Sequence, residues 1–129
     1  LVEQIGAEFA PRFRFHGAKS KEGIQPFLSA ASAAVVPSRW ENFPNVCIEA
    51  MSSGLPVIAT RYGGMAEMIE DGESGWLAED YGVAGLADSL EGALERCLAT
   101  PAETKAAMGR EASAAVRRFC DNDAIVEAH

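Results

Sequence analysis

Two short runs of apolar, β-branched residues, Val35-Val36 and Val57-Ile58, stand on either side of a helical pattern, and few folds accommodate that order. Strands joined by a crossover of this length pair in parallel, with the helix packed on one face of the sheet. The stretch VVPSRWENFPNVCIEAMSSGLPVIATRYGGMAEMIEDGESGWL carries the punctuation that such a unit needs. Pro37-Ser38 breaks the first run and opens a loop. Pro44 has the fixed φ and missing N–H that suit a first helical position, and Asn45 can accept a hydrogen bond from a free helix N–H. Val46, Cys47, Ala50 and Met51 recur as one apolar helix face. Gly54 and Pro56 end it, and residues 56–60 form the second strand. The predicted class is α/β with a parallel sheet.

Glu41 and Glu49 lie on either side of the predicted helix start. Both fall near the carboxyl edge of the sheet, where open α/β sheets bind ligands. A carboxylate in the first turns of a helix can accept hydrogen bonds from two vicinal hydroxyls, the arrangement found on a ribose, and Glu49 is placed for that. Glu41, in the loop ahead, would face a sugar lying beyond a phosphate held at the helix N-terminus. The plainer alternative makes Glu41 a solvated loop acid and Glu49 a surface helix acid.

The full pattern PS-x-x-E-N-F-P-N-V-x-I-E-A-M-x-x-G-x-P-V-I-A-T-x-x-G-G-x-x-E-x-I-x-D-G-x-S-G resembles the carboxyl-terminal half of retaining glycosyltransferases of the GT-B fold, the family 4 or group 1 type. The resemblance covers residues 13–77 and, more loosely, the helical tail. It implies a Rossmann-like parallel sheet with helices on both faces, an incomplete half of a GT-B fold with a helical C-terminal tail. It also implies a nucleotide-diphospho-sugar donor site. Glu41 would contact the donor sugar and is the catalytic-site candidate, as a contact rather than a nucleophile. Glu49 would hold the ribose hydroxyls. The backbone from Asn42 through Phe43, Pro44 and Asn45 to Val46 would lie against the sugar and distal phosphate, with Ser38 at the start of the same loop. Many relatives have glycine where this chain has Pro44, so one backbone donor is missing.

With 129 residues the chain is expected to form one domain, 1–129, truncated at its amino-terminal side relative to a whole transferase. The resembling family carries one or two βα units before residue 12, including a central strand and an Arg and Lys that grip the diphosphate. The net charge of −8 opposes binding to nucleic-acid backbones and anionic membranes, which need clustered Lys and Arg. Neither a membrane span nor a signal pattern is visible, so a cytoplasmic location is expected. The longer parent that the resemblance implies is allowed a peripheral place at the cytoplasmic membrane face. Cys47, Cys97 and Cys120 are odd in number and widely spaced, and read as buried thiols. No cofactor is expected beyond the donor substrate. No metal is expected either, on the reading that the chain lacks an Asp-x-Asp pattern or a histidine cluster.

Ahead of the central stretch, residues 1–9 read as a helix and residues 12–16 as a half-buried strand with Phe13 and Phe15 on one side. His16, Gly17 and Ala18 match the family's loop that touches the base, although a histidine ending a strand is often only a strand residue. Residues 24–31 read as a helix with Pro26 in its first turn, and 30–36 as the alanine-rich approach to the first strand. Lys19 and Lys21 read as solvated. Trp40 serves equally as a stacking wall or as packing. Beyond residue 60, Gly63-Gly64 lets backbone approach a ligand closely before a helix over 65–70, in which Glu67 favours the dipole. Residues 75–78 form the last strand. Two apolar stripes follow: Leu86, Leu90, Ala93, Leu94, Cys97 and Leu98, then Met108, Ala112, Val116 and Phe119. In the family the last helix crosses back to the amino-terminal domain, so the segment near Phe119 is a candidate docking surface.

Three functions compete at this stage. The first is the donor-binding half of a retaining hexosyltransferase acting on a glycan or lipid-linked acceptor, which the missing amino-terminal domain would read. The second is a GT-B-like sugar-nucleotide epimerase, and the third a non-catalytic nucleotide-binding module.

Overall fold

The computed structural model describes residues 4–42, 44–78 and 85–121. In chain order they form α1 (Lys21–Ala30), β1 (Ala34–Val36), α2 (Asn45–Ser52), β2 (Val57–Ala59), α3 (Met65–Met68), β3 (Gly75–Leu77), α4 (Leu86–Ala99) and α5 (Ala102–Phe119). The three strands make one parallel sheet in the order β1-β2-β3, with Val36 opposite Ala59 and Ala59 opposite Leu77.

Side-chain alternation along these strands feeds two separate cores. Val57, Ala59 and Leu77 join Cys47, Ala50 and Met51 of α2, Met65 and Met68 of α3, and Ala112 and Val116 of α5 on one face. Ile58 and Trp76, one residue out of phase, meet Ala93 and Cys97 of α4 and Met108 on the other. The sheet is thus covered on both faces, as the α/β expectation requires.

Several local expectations change. Gln4 to Phe9 forms turns rather than an α-helix, followed by a short 3-10 turn at Ala10–Arg12; residues 1–3 lie outside the described residues. Residues 13–16 pair with no strand among the described residues, and Phe13 and Phe15 are exposed. Phe13 is extended, at φ −108° and ψ 139°, but a strand is stable only against a neighbour, and β1 pairs with β2 alone. Helix α1 starts earlier than predicted because the Ser20 hydroxyl accepts the Gly23 N–H at 3.0 Å. Pro26 therefore lies inside the helix, and the carbonyl it leaves unpaired belongs to the exposed first turn.

The stripe on α4 holds in part: Ala93 and Cys97 are buried and Leu90 packs against the same core, but the face is rotated toward Ser89. Ser89, Ala93 and Cys97 face inward, whereas Leu98 is 79% exposed and Leu94 is also exposed. Small residues let α4 approach β2 and β3 closely, and the bulky Trp76 and Ile58 supply the volume from the sheet side. On α2, Val46 likewise points outward, leaving Cys47, Ala50 and Met51 as the buried face. Cys47 and Cys97 are buried thiols, but Cys120, at the end of α5, is exposed. Phe119 is partly exposed there as well.

One polar cluster ties β3 to α4. Asp71 Oδ1 accepts the Leu77 N–H at 2.8 Å and Arg96 Nη2 at 2.8 Å, Asp71 Oδ2 accepts Arg96 Nη1 at 3.2 Å, and Arg96 also donates to the Leu77 carbonyl at 2.9 Å. Arg61 adds a 3.7 Å ion pair. Burial pushes the Asp71 carboxyl up, but the hydrogen bonds from Arg96 and Leu77 and the two guanidinium charges outweigh it and hold it below the usual range. A depressed folded-state pKa contributes stability that is present above the unfolded pKa, about 4, and is lost as pH falls through the folded value. Asp71→Asn should therefore lower stability near neutral pH by about 1 kcal/mol, after discounting for solvent screening. The gap from the parent should close in acid. Thermal melts from neutral pH down to pH about 2, below the depressed pKa, check this, and a gap that persists there would refute it.

Candidate functional site

The loop from β1 to α2 and the first turn of α2 enclose a cleft of about 360 Å³ at the carboxyl edge of the sheet. Val35, Val36, Pro37, Ser38, Glu41, Pro44, Asn45 and Val46 line it. Five of the residues singled out in the sequence, Ser38, Glu41, Pro44, Asn45 and Val46, thus share one wall. Glu49 stands one helical turn beyond Asn45 on the same face of α2, half-buried and outside the cleft lining. Neither the Glu41 nor the Glu49 carboxylate has a hydrogen-bond or ionic partner among the described residues, so both keep their full accepting capacity.

Pro44 is the N-cap of α2 rather than its first residue, at φ −81° and ψ 86°, and its carbonyl accepts the Ile48 N–H at 3.1 Å. No side chain caps this end, so Asn45 does not play the capping role expected of it. The first N–H groups of α2 remain available at the cleft, and the helix dipole favours an anion there. Asn42 does not line the cleft; its side chain accepts the Trp40 indole N–H at 3.3 Å, and Trp40 is 65% exposed. Phe43 lies outside the described residues.

Gly63 and Gly64 serve a contact that sequence reasoning missed. They were expected to let backbone approach a ligand. In the structure the backbone they approach is that of the Glu41 loop, with the Gly64 N–H donating to the Glu41 carbonyl at 2.7 Å. A Cβ on Gly63 would collide with the Glu41 carbonyl oxygen, and one on Gly64 with that of Asn42. Gly63 also takes φ +73°, which side-chain-bearing residues avoid. Behind them Thr60, fully buried, donates its hydroxyl to the Ser38 carbonyl at 2.6 Å. The available signal was a hydroxyl residue ending one strand beside a proline ending its neighbour.

Gly17 and Ala18 are exposed on the unpaired segment and do not line the cleft. The His16 ring packs instead on Phe27 of α1, with centroids 4.4 Å apart. Cys47, beside the cleft on α2, is no candidate nucleophile: burial pushes its thiol up to about 12. The premise of the metal expectation needs one correction, since Asp121-Asn122-Asp123 does have Asp-x-Asp spacing. Only Asp121 of the three is described, and among the described residues no three His, Cys, Asp or Glu side chains come together. No helix among the described residues is long and apolar enough to cross a membrane.

Comparison with known proteins bears on what this edge is. The family described as glycosyl transferases group 1 matches residues 1–96. This chain belongs to that family. The match takes in β1, β2, β3 and the whole cleft wall, so the group 1 glycosyl transferase pattern includes the Glu41 loop and α2. A D-inositol 3-phosphate glycosyltransferase of Mycobacterium avium is 34% identical over 92% of this chain and 27% of its own length. An uncharacterized glycosyltransferase of Methanocaldococcus jannaschii is 48% identical over 49% of this chain and 18% of its own. Among solved structures, sucrose-phosphate synthase from Thermosynechococcus elongatus superimposes with a TM-score of 0.74 and 33% identity, over 86% of this chain and 27% of that one. The chain therefore has the GT-B glycosyltransferase fold in part, and spans about a quarter of the length of the first of these curated relatives.

Proposed function

We propose that this chain is the donor-binding half of a retaining glycosyltransferase that moves a hexose from a nucleotide-diphospho-sugar to a glycan or lipid-linked acceptor. The observation that carries it is the pair of unpartnered carboxylates, Glu41 in the cleft and Glu49 one turn beyond, flanking the uncapped start of α2. In this reading the ribose hydroxyls bond Glu49, the distal phosphate meets the N–H groups at the start of α2, and the sugar lies against Glu41. Sugar transfer passes through an oxocarbenium-like state, which polar groups oriented on the ring stabilise. The acceptor and the diphosphate clamp come from parts of a longer protein, so this chain alone binds donor without turning it over.

Titration calorimetry with UDP, GDP and ADP, and with a hexose conjugate of each, tests the reading. One base should bind, and its sugar conjugate should bind more tightly. Absence of binding to every nucleotide would favour a non-catalytic module, and rapid transfer by this chain alone would overturn the division of labour.

A further inference from the structure

We propose that Thr60 is a positioning residue: by holding the Ser38 carbonyl, its buried hydroxyl sets the course of the loop that presents Glu41. The ligand half of this inference rests on the donor-site reading, whereas the conformational half stands without it. Val36, opposite Ala59, is the last paired residue of β1. Pro37 follows and has no N–H, so the ladder cannot continue through it. Thr60, the residue after Ala59, supplies with its side chain the tie that the backbone cannot make. At 2.6 Å, and with Thr60 itself fully buried, the donor end of that bond is shielded from water.

Three residues further along the loop a second tie follows, where Gly64 N–H donates to the Glu41 carbonyl at 2.7 Å. Gly63 and Gly64 make that approach sterically possible. Both ties reach the β1–α2 loop from the single segment that leaves β2. The stretch between Ser38 and Glu41 is therefore held at each end, so its backbone is already ordered when a ligand binds and only the Glu41 side chain has to settle. A purely structural role for Thr60 would spread its loss over the whole fold. A positioning role confines the loss to the loop and to the sugar.

Thr60→Val keeps the shape and removes the donor, whereas Thr60→Ser keeps the donor. Amide hydrogen exchange on the whole chain is read at Gly64, with the amides of α5 gauging global opening. In Thr60→Val, exchange at Gly64 should quicken about tenfold relative to α5, and Thr60→Ser should stay near the parent. Thr60→Ser and Thr60→Ala differ by the hydroxyl alone and give the same comparison where valine is not tolerated. In the ligand arm, the affinity advantage of the nucleotide-sugar over its nucleoside diphosphate should fall about fivefold in Thr60→Val, with the nucleoside diphosphate itself bound as before. Unchanged exchange at Gly64, or equal acceleration of Gly64 and α5, overturns the proposal. A parent chain that binds no nucleotide sinks the donor-site reading instead, and exchange then decides the role of Thr60 by itself.

Discussion

Placing valine at Gly109 is expected to destabilise the chain strongly. Gly109 is buried on the face of α5 that meets α2, and a Cβ there would collide with the Gly54 carbonyl oxygen and lie 2.9 Å from its carbon. The obstacle is backbone at the end of α2, so no rotamer change relieves it. The helices would have to separate, opening the core around Met51, Ala112 and Val116. Overpacking of this kind costs about 3 kcal/mol or more, which lowers the melting temperature by roughly 10 °C for a domain of this size. Gly92 is the contrasting position: it lies inside α4 with open space where a Cβ would go, so Gly92→Ala should stabilise by up to about 1 kcal/mol. Circular dichroism melts of the two variants decide the matter, and a Gly109→Val melt within a degree or two of the parent would contradict the close α2–α5 contact.

The second large effect concerns ligand. Glu49→Ala should weaken nucleoside diphosphate binding by about a hundredfold or more, the worth of two charge-assisted hydrogen bonds from adjacent hydroxyls. The folded state loses little, because the Glu49 carboxylate has no partner among the described residues. The decisive comparison uses a nucleotide lacking one ribose hydroxyl. Against the parent chain that ligand should bind more weakly; against Glu49→Ala it should bind as the full ribose does, since the group it would have bonded is gone. Penalties that simply add would place the ribose elsewhere.

How much of this was legible beforehand varied with how local the cause is. The βα units from Val35 to Leu77 follow from short apolar runs separated by proline and glycine stops, and these act within a few residues. The burial of Cys47, Ala50 and Met51 also followed from spacing, but the exposure of Val46 did not, because Val46 lies in the first turn of α2 and faces the cleft rather than the core. Leu94 and Leu98 of α4 misled for a related reason, while Leu90 does pack against the core. Hydrophobicity alone selects the broadest apolar stripe, whereas the sheet, already filled by Ile58 and Trp76, selects the closest-fitting one, and Ser89, Ala93 and Cys97 fit better than leucines.

By itself, then, the sequence determined the parallel α/β class, the start of α2 to within one residue, and the acids on either side of it, since period, proline geometry and residue chemistry all act along the chain. Only the tertiary structure decided that residues 13–16 find no strand partner among the described residues, that Gly63 and Gly64 face the Glu41 loop, and that Thr60 bonds Ser38. Each of these depends on which backbone lies alongside which. That is a matter of partners distant in sequence, and one residue's own preferences do not name them.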